Sequence, residues 1–144
     1  GYKIAQQIKD TTILIKTAGS LGKFLVSAGK AKDALEYLYS CLKLLEQFPD
    51  KGMEYRVRTN ITWANLELKR FRDAIAFGRK SLPLMENQEW EWIAAYTYNN
   101  LAVCYGSLGN LDSARYYIDK SLNVTERSGD LVTKANAYFI LGKI

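Results

Sequence analysis

Sliding the chain by forty positions lays it on itself. Asp33, Ala34 and Leu35 fall on Asp73, Ala74 and Ile75, and then on Ser113, Ala114 and Arg115. The same shift stacks Leu21, Ile61, Leu101 and Leu141, with a column of smaller residues beside them at Gly22, Thr62, Ala102 and Gly142. Tyr37, Phe77 and Tyr117 coincide, as do Cys41, Ser81 and Ser121, and then Leu42, Leu82 and Leu122. A period of this length marks one supersecondary unit copied along the chain. Such a unit cannot bury its apolar face alone and gains a core from its neighbours.

Within each unit apolar residues recur at three- and four-residue steps in two runs separated by a short break, so each unit reads as two helices. Long stretches free of proline and glycine support helix over short strands. In the third unit the first helix runs from about Trp90 to Leu108, and Gly109-Asn110 ends it with residues that tolerate the left-handed conformation. Asp112 is the expected cap of the second helix, which carries Ile118, Leu122 and Val124 on one face and reaches about Arg127. Ser128-Gly129-Asp130 closes the unit. The first unit breaks at Gly29-Lys30 and the second at Lys69-Arg70, without a glycine. Pro83 falls inside the second helix of its unit and is expected to kink it or end it early. Ala34, Ala74 and Ala114 are expected where paired helices cross closely, since a larger side chain would push the axes apart. Cys41 shares its column with Ser81 and Ser121 and reads as a packing residue.

The phase of the period divides the chain into repeats at 11–50, 51–90 and 91–130. Residues 131–144 repeat the opening of a first helix. Tyr2, Lys3 and Ile4 fall in register with Leu42, Lys43 and Leu44, so residues 1–10 are expected to be the end of a preceding repeat. Neither end offers the polar capping element with which solenoids finish. The chain is therefore expected to be a fragment of a longer protein, with apolar ends prone to end-to-end self-association.

The third unit resembles the tetratricopeptide repeat. Tyr98, Leu101, Ala102, Tyr105, Gly109, Asn110, Ala114 and Ser121 stand where that family favours an aromatic, a leucine, a small residue, a tyrosine, a glycine turn and two further small residues. The other units are looser, with Arg58 and Ala18 in place of the first aromatic and Asn65 in place of the tyrosine. Repeats as long as these are similar to those of kinesin light chains and of bacterial peptide-sensing and signalling regulators. The resemblance implies an all-α fold, a right-handed α-solenoid of antiparallel helix pairs whose first helices line a concave face. It implies a non-catalytic protein–protein interaction module that binds a peptide or protein segment there. The alternative is a ligand- or peptide-sensing input domain of a larger bacterial signalling or transcription regulator, and a third reading is a passive scaffold. A cytoplasmic setting is expected, or a periplasmic one as part of a membrane sensor.

On the first helices, residues outside the leucine and small columns should face that groove. They include Lys16, Gly19, Ser20 and Lys23, then Arg56, Thr59, Asn60 and Trp63, then Tyr96, Asn99, Asn100 and Val103, with Asn136, Phe139 and Ile140 continuing the line. Asn60 and Asn100 share a column, and a carboxamide both donates to and accepts from an extended backbone. Trp63 is either an apolar anchor for the ligand or a packing residue between adjacent first helices. Trp90 and Trp92 mark a first-helix start, where covering the preceding unit is the expected role. Lys16, Lys23 and Arg56 favour acidic ligands. The family also has a form that clamps a ligand's terminal carboxylate. Asn60 fits it, but Gly19, Tyr96 and Asn100 stand where it needs cations, and Lys23 where it needs asparagine.

Histidine is absent, which removes the usual general base and zinc ligand, and the carboxylates and lysines form no motif of catalytic spacing. Cys41 and Cys104 belong to no CxxC pair, so no metal is expected, and no cofactor is implied. Gly19-Ser20-Leu21-Gly22-Lys23 lacks the glycine spacing of a phosphate loop and has Phe24 where a hydroxyl is required. No apolar run approaches the ~20 residues of a membrane span. The net charge of +5 suits acidic partners but is too mild for nucleic acid to be expected. Lys30, Lys32, Lys69, Arg70 and Arg72 gather near the turns within units, where a solvated edge is the expected role. Glu46, Asp50, Glu86, Glu89, Glu91, Glu126 and Asp130 gather near the turns between units.

Overall fold

In a computed structural model, residues 2–85 and 91–143 are described. They form α1 (Tyr2–Ser27), α2 (Ala31–Gln47), α3 (Lys51–Glu67), α4 (Phe71–Ser81), a 3-10 turn (Leu82–Leu84), α5 (Glu91–Ser107), α6 (Leu111–Ser128) and α7 (Leu131–Lys143). The helices pair as α1/α2, α3/α4 and α5/α6. The first helices α1, α3, α5 and α7 pack against one another in succession, and each second helix also packs against the next first helix. The result is an all-helical solenoid of stacked helix pairs.

The turns within units share one backbone solution. Gly29, Lys69 and Gly109 take the left-handed conformation, at φ of +79°, +59° and +80°. Lys30, Arg70 and Asn110 each donate their backbone N–H to the carbonyl five residues back, on Leu25, Asn65 and Tyr105. This closure satisfies the last carbonyls of each first helix. The second unit builds it without a glycine, which is why its break is weakly marked in the sequence.

Helix starts differ from expectation in one place. Asn110, not Asp112, caps α6, accepting from the Ser113 N–H at 3.2 Å. The helix begins at Leu111, so the residue before it holds the capping geometry and Asp112 lies inside the first turn. Asp50 caps α3 through the Met53 N–H at 3.0 Å. Asp130 caps α7, taking the Thr133 N–H at 3.1 Å and its hydroxyl at 2.6 Å. Pro83 acts as expected, since α4 stops at Ser81 and gives way to the 3-10 turn.

The start of the chain also departs from its register. Residues 2–27 are one continuous helix, not the end of one element followed by a second. No residue near position 10 breaks a helix. Gln6 reaches Asp10 at 3.0 Å just before the expected boundary, and Thr12 donates to the Ile8 carbonyl at 2.9 Å across it, each four residues apart.

The columns explain the core. Ala34, Ala74 and Ala114 are wholly buried, as are Cys41, Ser81 and Ser121. Cys41 donates to the Ile15 carbonyl at 3.6 Å, and Ser121 donates to the Ala95 carbonyl at 3.2 Å, the equivalent atom two repeats on. Ile61 and Leu101 are fully buried, whereas Leu21 is 36% exposed. Leu101 lies against Gly78 of the preceding α4, so close that a Cβ there would approach its Cδ2 at 2.9 Å. Leu21 on α1 has no preceding second helix against it.

Aromatic contacts tie the two helices of a unit together. Tyr117 of α6 stacks on Tyr105 and Tyr98 of α5, with centroids 5.6 and 6.0 Å apart. In the second unit Arg58, which breaks the aromatic column, holds its guanidinium 5.9 Å from the Phe77 ring and pairs with Glu54 at 2.9 Å. A flat cation over a ring replaces a ring over a ring.

Candidate functional site

The predicted groove residues separate into two groups on the first helices. One group is used up in helix contacts. Thr59 of α3 is buried with its hydroxyl 3.1 Å from that of Thr97 on α5. Asn99 is buried too, and its Nδ2 donates to the Thr133 carbonyl of α7 at 3.1 Å. Asn99 is therefore a strut between α5 and α7 and not an open binding residue. Thr59 and Asn99 share a column, and both side chains meet the next first helix.

The second group stays accessible. Lys16, Ser20 and Lys23 on α1 and Arg56 on α3 are exposed, Asn60, Trp63, Tyr96 and Val103 are half-buried, and α7 adds exposed Asn136 and Phe139. At the middle of this face Trp63 and Tyr96 meet edge to face, with centroids 6.0 Å apart and planes at 86°. Trp63 thus packs between adjacent first helices and also remains partly accessible. Its indole Nε1 donates to Glu67 Oε1 at 3.2 Å.

Asn100 follows Tyr96 by one helical turn and is 8% exposed. Its buried carboxamide lies beside the Tyr96 phenol. Asn99 Oδ1 is buried without a donor. Burial pushes the Tyr96 phenol up to about 12, with the Asn100 carboxamide beside it pulling back and the Glu67 carboxylate pushing further up. Tyr96 is therefore a neutral hydrogen-bonding group at any physiological pH. Glu67, absent from the predicted set, joins Trp63 and Tyr96 here. It ends α3 and falls in a column with Ser27 and Ser107, so the repeat pattern carries no signal for it.

The basic residues Lys30, Lys32, Lys69, Arg70 and Arg72 are all exposed near the α1–α2 and α3–α4 turns. Glu86, Glu89, Trp90 and the side chain of Trp92 lie outside the described residues. A depression of about 410 Å³ beside Lys3, Gln7 and Asp10 is lined by α1 alone and lies open to solvent. Among the described residues no group of three or more Cys, Asp or Glu side chains could hold a metal ion. No helix among them is long and apolar enough to cross a membrane.

Stacked antiparallel helix pairs with small crossing residues, left-handed turns and a shared first-helix face define a helical-repeat domain. The family model described as tetratricopeptide repeat matches residues 94–128, which is the third unit almost end to end. The third unit thus matches the tetratricopeptide-repeat model, and the chain has the fold of a tetratricopeptide-repeat domain. Among solved structures it is similar to the crystal structure of the tetratricopeptide-repeat domain of Arabidopsis FLU, at a TM-score of 0.74 and 18% identity over 81% of this chain and 98% of that one. No curated protein matches the sequence. Tetratricopeptide-repeat domains typically mediate protein–protein interactions and are generally non-catalytic scaffolds.

Proposed function

We propose that this domain binds an extended polypeptide segment along the concave face lined by α1, α3, α5 and α7. Asn60 and Asn100 hydrogen-bond to the ligand backbone, Trp63 and Tyr96 supply the apolar wall, and Lys16, Lys23 and Arg56 draw acidic residues to one end. The observation that carries this reading is the Trp63–Tyr96 pair, partly accessible beside half-buried Asn60 on a face that is otherwise open.

The test is selection of extended peptides from an arrayed library on the native domain, then rebinding to the Asn60→Ala, Asn100→Ala double variant. The selected peptides should lose most of their affinity while circular dichroism shows the helices intact. Unaltered binding would reject the assignment.

The ends favour one further association, between copies of this chain. Ile4, Ile8 and Phe24 on α1 and Leu131 and Val132 on α7 are exposed apolar side chains, more than single scattered residues would present. End-to-end contact between copies would cover both sets.

A further inference from the structure

We infer that the centre of this face is a subsite for a cationic side chain of the bound segment, arginine above all; the inference rests on the peptide-binding reading. Four groups meet there. Glu67 accepts the Trp63 indole N–H on Oε1, and no lysine or arginine among the described residues forms an ion pair with it. That hydrogen bond orients the indole and engages one of the two carboxylate oxygens. Trp63 and Tyr96 meet edge to face, so they are not stacked on each other, and both remain partly accessible. The Asn100 carboxamide lies beside the Tyr96 phenol and holds that ring in place.

An acidic ligand residue would be repelled by Glu67, and an aliphatic one would leave that carboxylate unanswered. A guanidinium meets both demands, since it lies flat on an indole or phenol face and its fork of N–H groups matches a carboxylate. The same ligand residue brings a backbone carbonyl for Asn100. Arg56 does not neutralise the subsite, because it precedes Glu67 by eleven residues on α3, about 16 Å along the helix. The face is therefore graded in charge. Lys16, Lys23 and Arg56 take carboxylates, the Glu67 niche takes a cation, and Phe139, 65% exposed on α7, offers an apolar end. The segment that fits is acidic at one end, arginine in the middle and apolar at the other.

Isothermal titration calorimetry tests this with blocked heptapeptides Glu-Asp-Gly-Arg-Gly-Leu-Phe and the reversed order, each made also with citrulline or glutamate at the centre. Citrulline keeps the shape and most of the donors of arginine but carries no charge. In the order that binds, the arginine peptide is expected to bind about tenfold more tightly than the citrulline peptide, with glutamate weakest. Glu67→Gln, an exposed near-isosteric change, should remove that margin and leave the citrulline peptide unaffected. Equal affinity for arginine and citrulline, or an arginine preference that survives Glu67→Gln, overturns the subsite. If those equal affinities both fall in the Asn60→Ala, Asn100→Ala variant, the groove reading stands and the cationic subsite alone fails. Absence of binding by every peptide overturns both.

Discussion

Gly22 of α1 and Leu38 of α2 approach so closely that a Cβ at Gly22 would lie 2.7 Å from the Leu38 Cγ. The equivalent pairs are Thr62 with Gly78 and Ala102 with Ile118. A Cβ on Gly78 would stand 3.2 Å from Thr62 Cγ2, and Ala102 and Ile118 share one buried cluster. Each unit thus sets a small residue against its crossing partner, but which helix supplies it changes. Gly22→Ala should gain about 1 kcal/mol of helix propensity and lose about 1–3 kcal/mol to overpacking against buried Leu38, for a net loss. Urea denaturation checks this. Gly22→Ala with Leu38→Ala should cost less than the sum of the single changes, because the pair shares one space.

Lys69 closes the α3–α4 turn at φ +59°, where the other two intra-unit turns use glycine. A side chain in that conformation costs roughly 1 kcal/mol, and the exposed lysine side chain forms no hydrogen bond or ion pair among the described residues. Lys69→Gly should raise stability by about that amount, read as a higher urea midpoint at unchanged slope. A lower midpoint would mean that the entropy lost from the unfolded chain outweighs the relief of strain.

The forty-residue period made the stack, the turns and the small crossing residues legible, because each recurs. What it hid lies in residues that do not recur or that share a helix face. Gly78 sits in a column with Leu38 and Ile118, so its closeness to Thr62 and Leu101 emerges only across helices. Arg58 read as a loss of the aromatic column, yet its guanidinium covers Phe77 much as Tyr98 covers Tyr117. Periodicity placed Asn60, Asn99 and Asn100 on one broad face. Distinguishing the open side from the side that meets α7 required the Asn99–Thr133 hydrogen bond. Continuity of α1 was missed for the opposite reason, since the register repeated without any residue there that breaks a helix.

Cys41 and Cys104 are both fully buried, and burial pushes the Cys41 thiol up and the Cys104 thiol up to about 12. The thiolate is the reactive form, so at pH 8 neither side chain should alkylate in the folded protein. Iodoacetamide followed by mass spectrometry should find both unmodified under native conditions and both modified in urea. Raising the pH to 9 without unfolding should change little at Cys104, because its raised pKa keeps that thiol protonated there. Cys41→Ser should be tolerated, as Ser121 already makes the equivalent bond to a first-helix carbonyl.

Leu131 and Val132 at the start of α7 are 75% and 73% exposed, and Phe24 on α1 is 66% exposed. Water around such neighbouring apolar groups is released when a second surface covers them, at roughly 25 cal/mol per Å² of apolar area. Sedimentation velocity should therefore show a weight-average mass that rises with protein concentration. Leu131→Lys with Val132→Lys should flatten that rise, since both positions are solvent-facing and the added charge strongly disfavours burial. Phe24→Lys, at the other end of the stack, should do the same independently. Two copies joined head to tail need both surfaces, whereas a symmetric dimer through α7 would be indifferent to Phe24, so the pair of variants separates the two geometries. A mass independent of concentration in the unmodified protein would remove end-to-end pairing altogether.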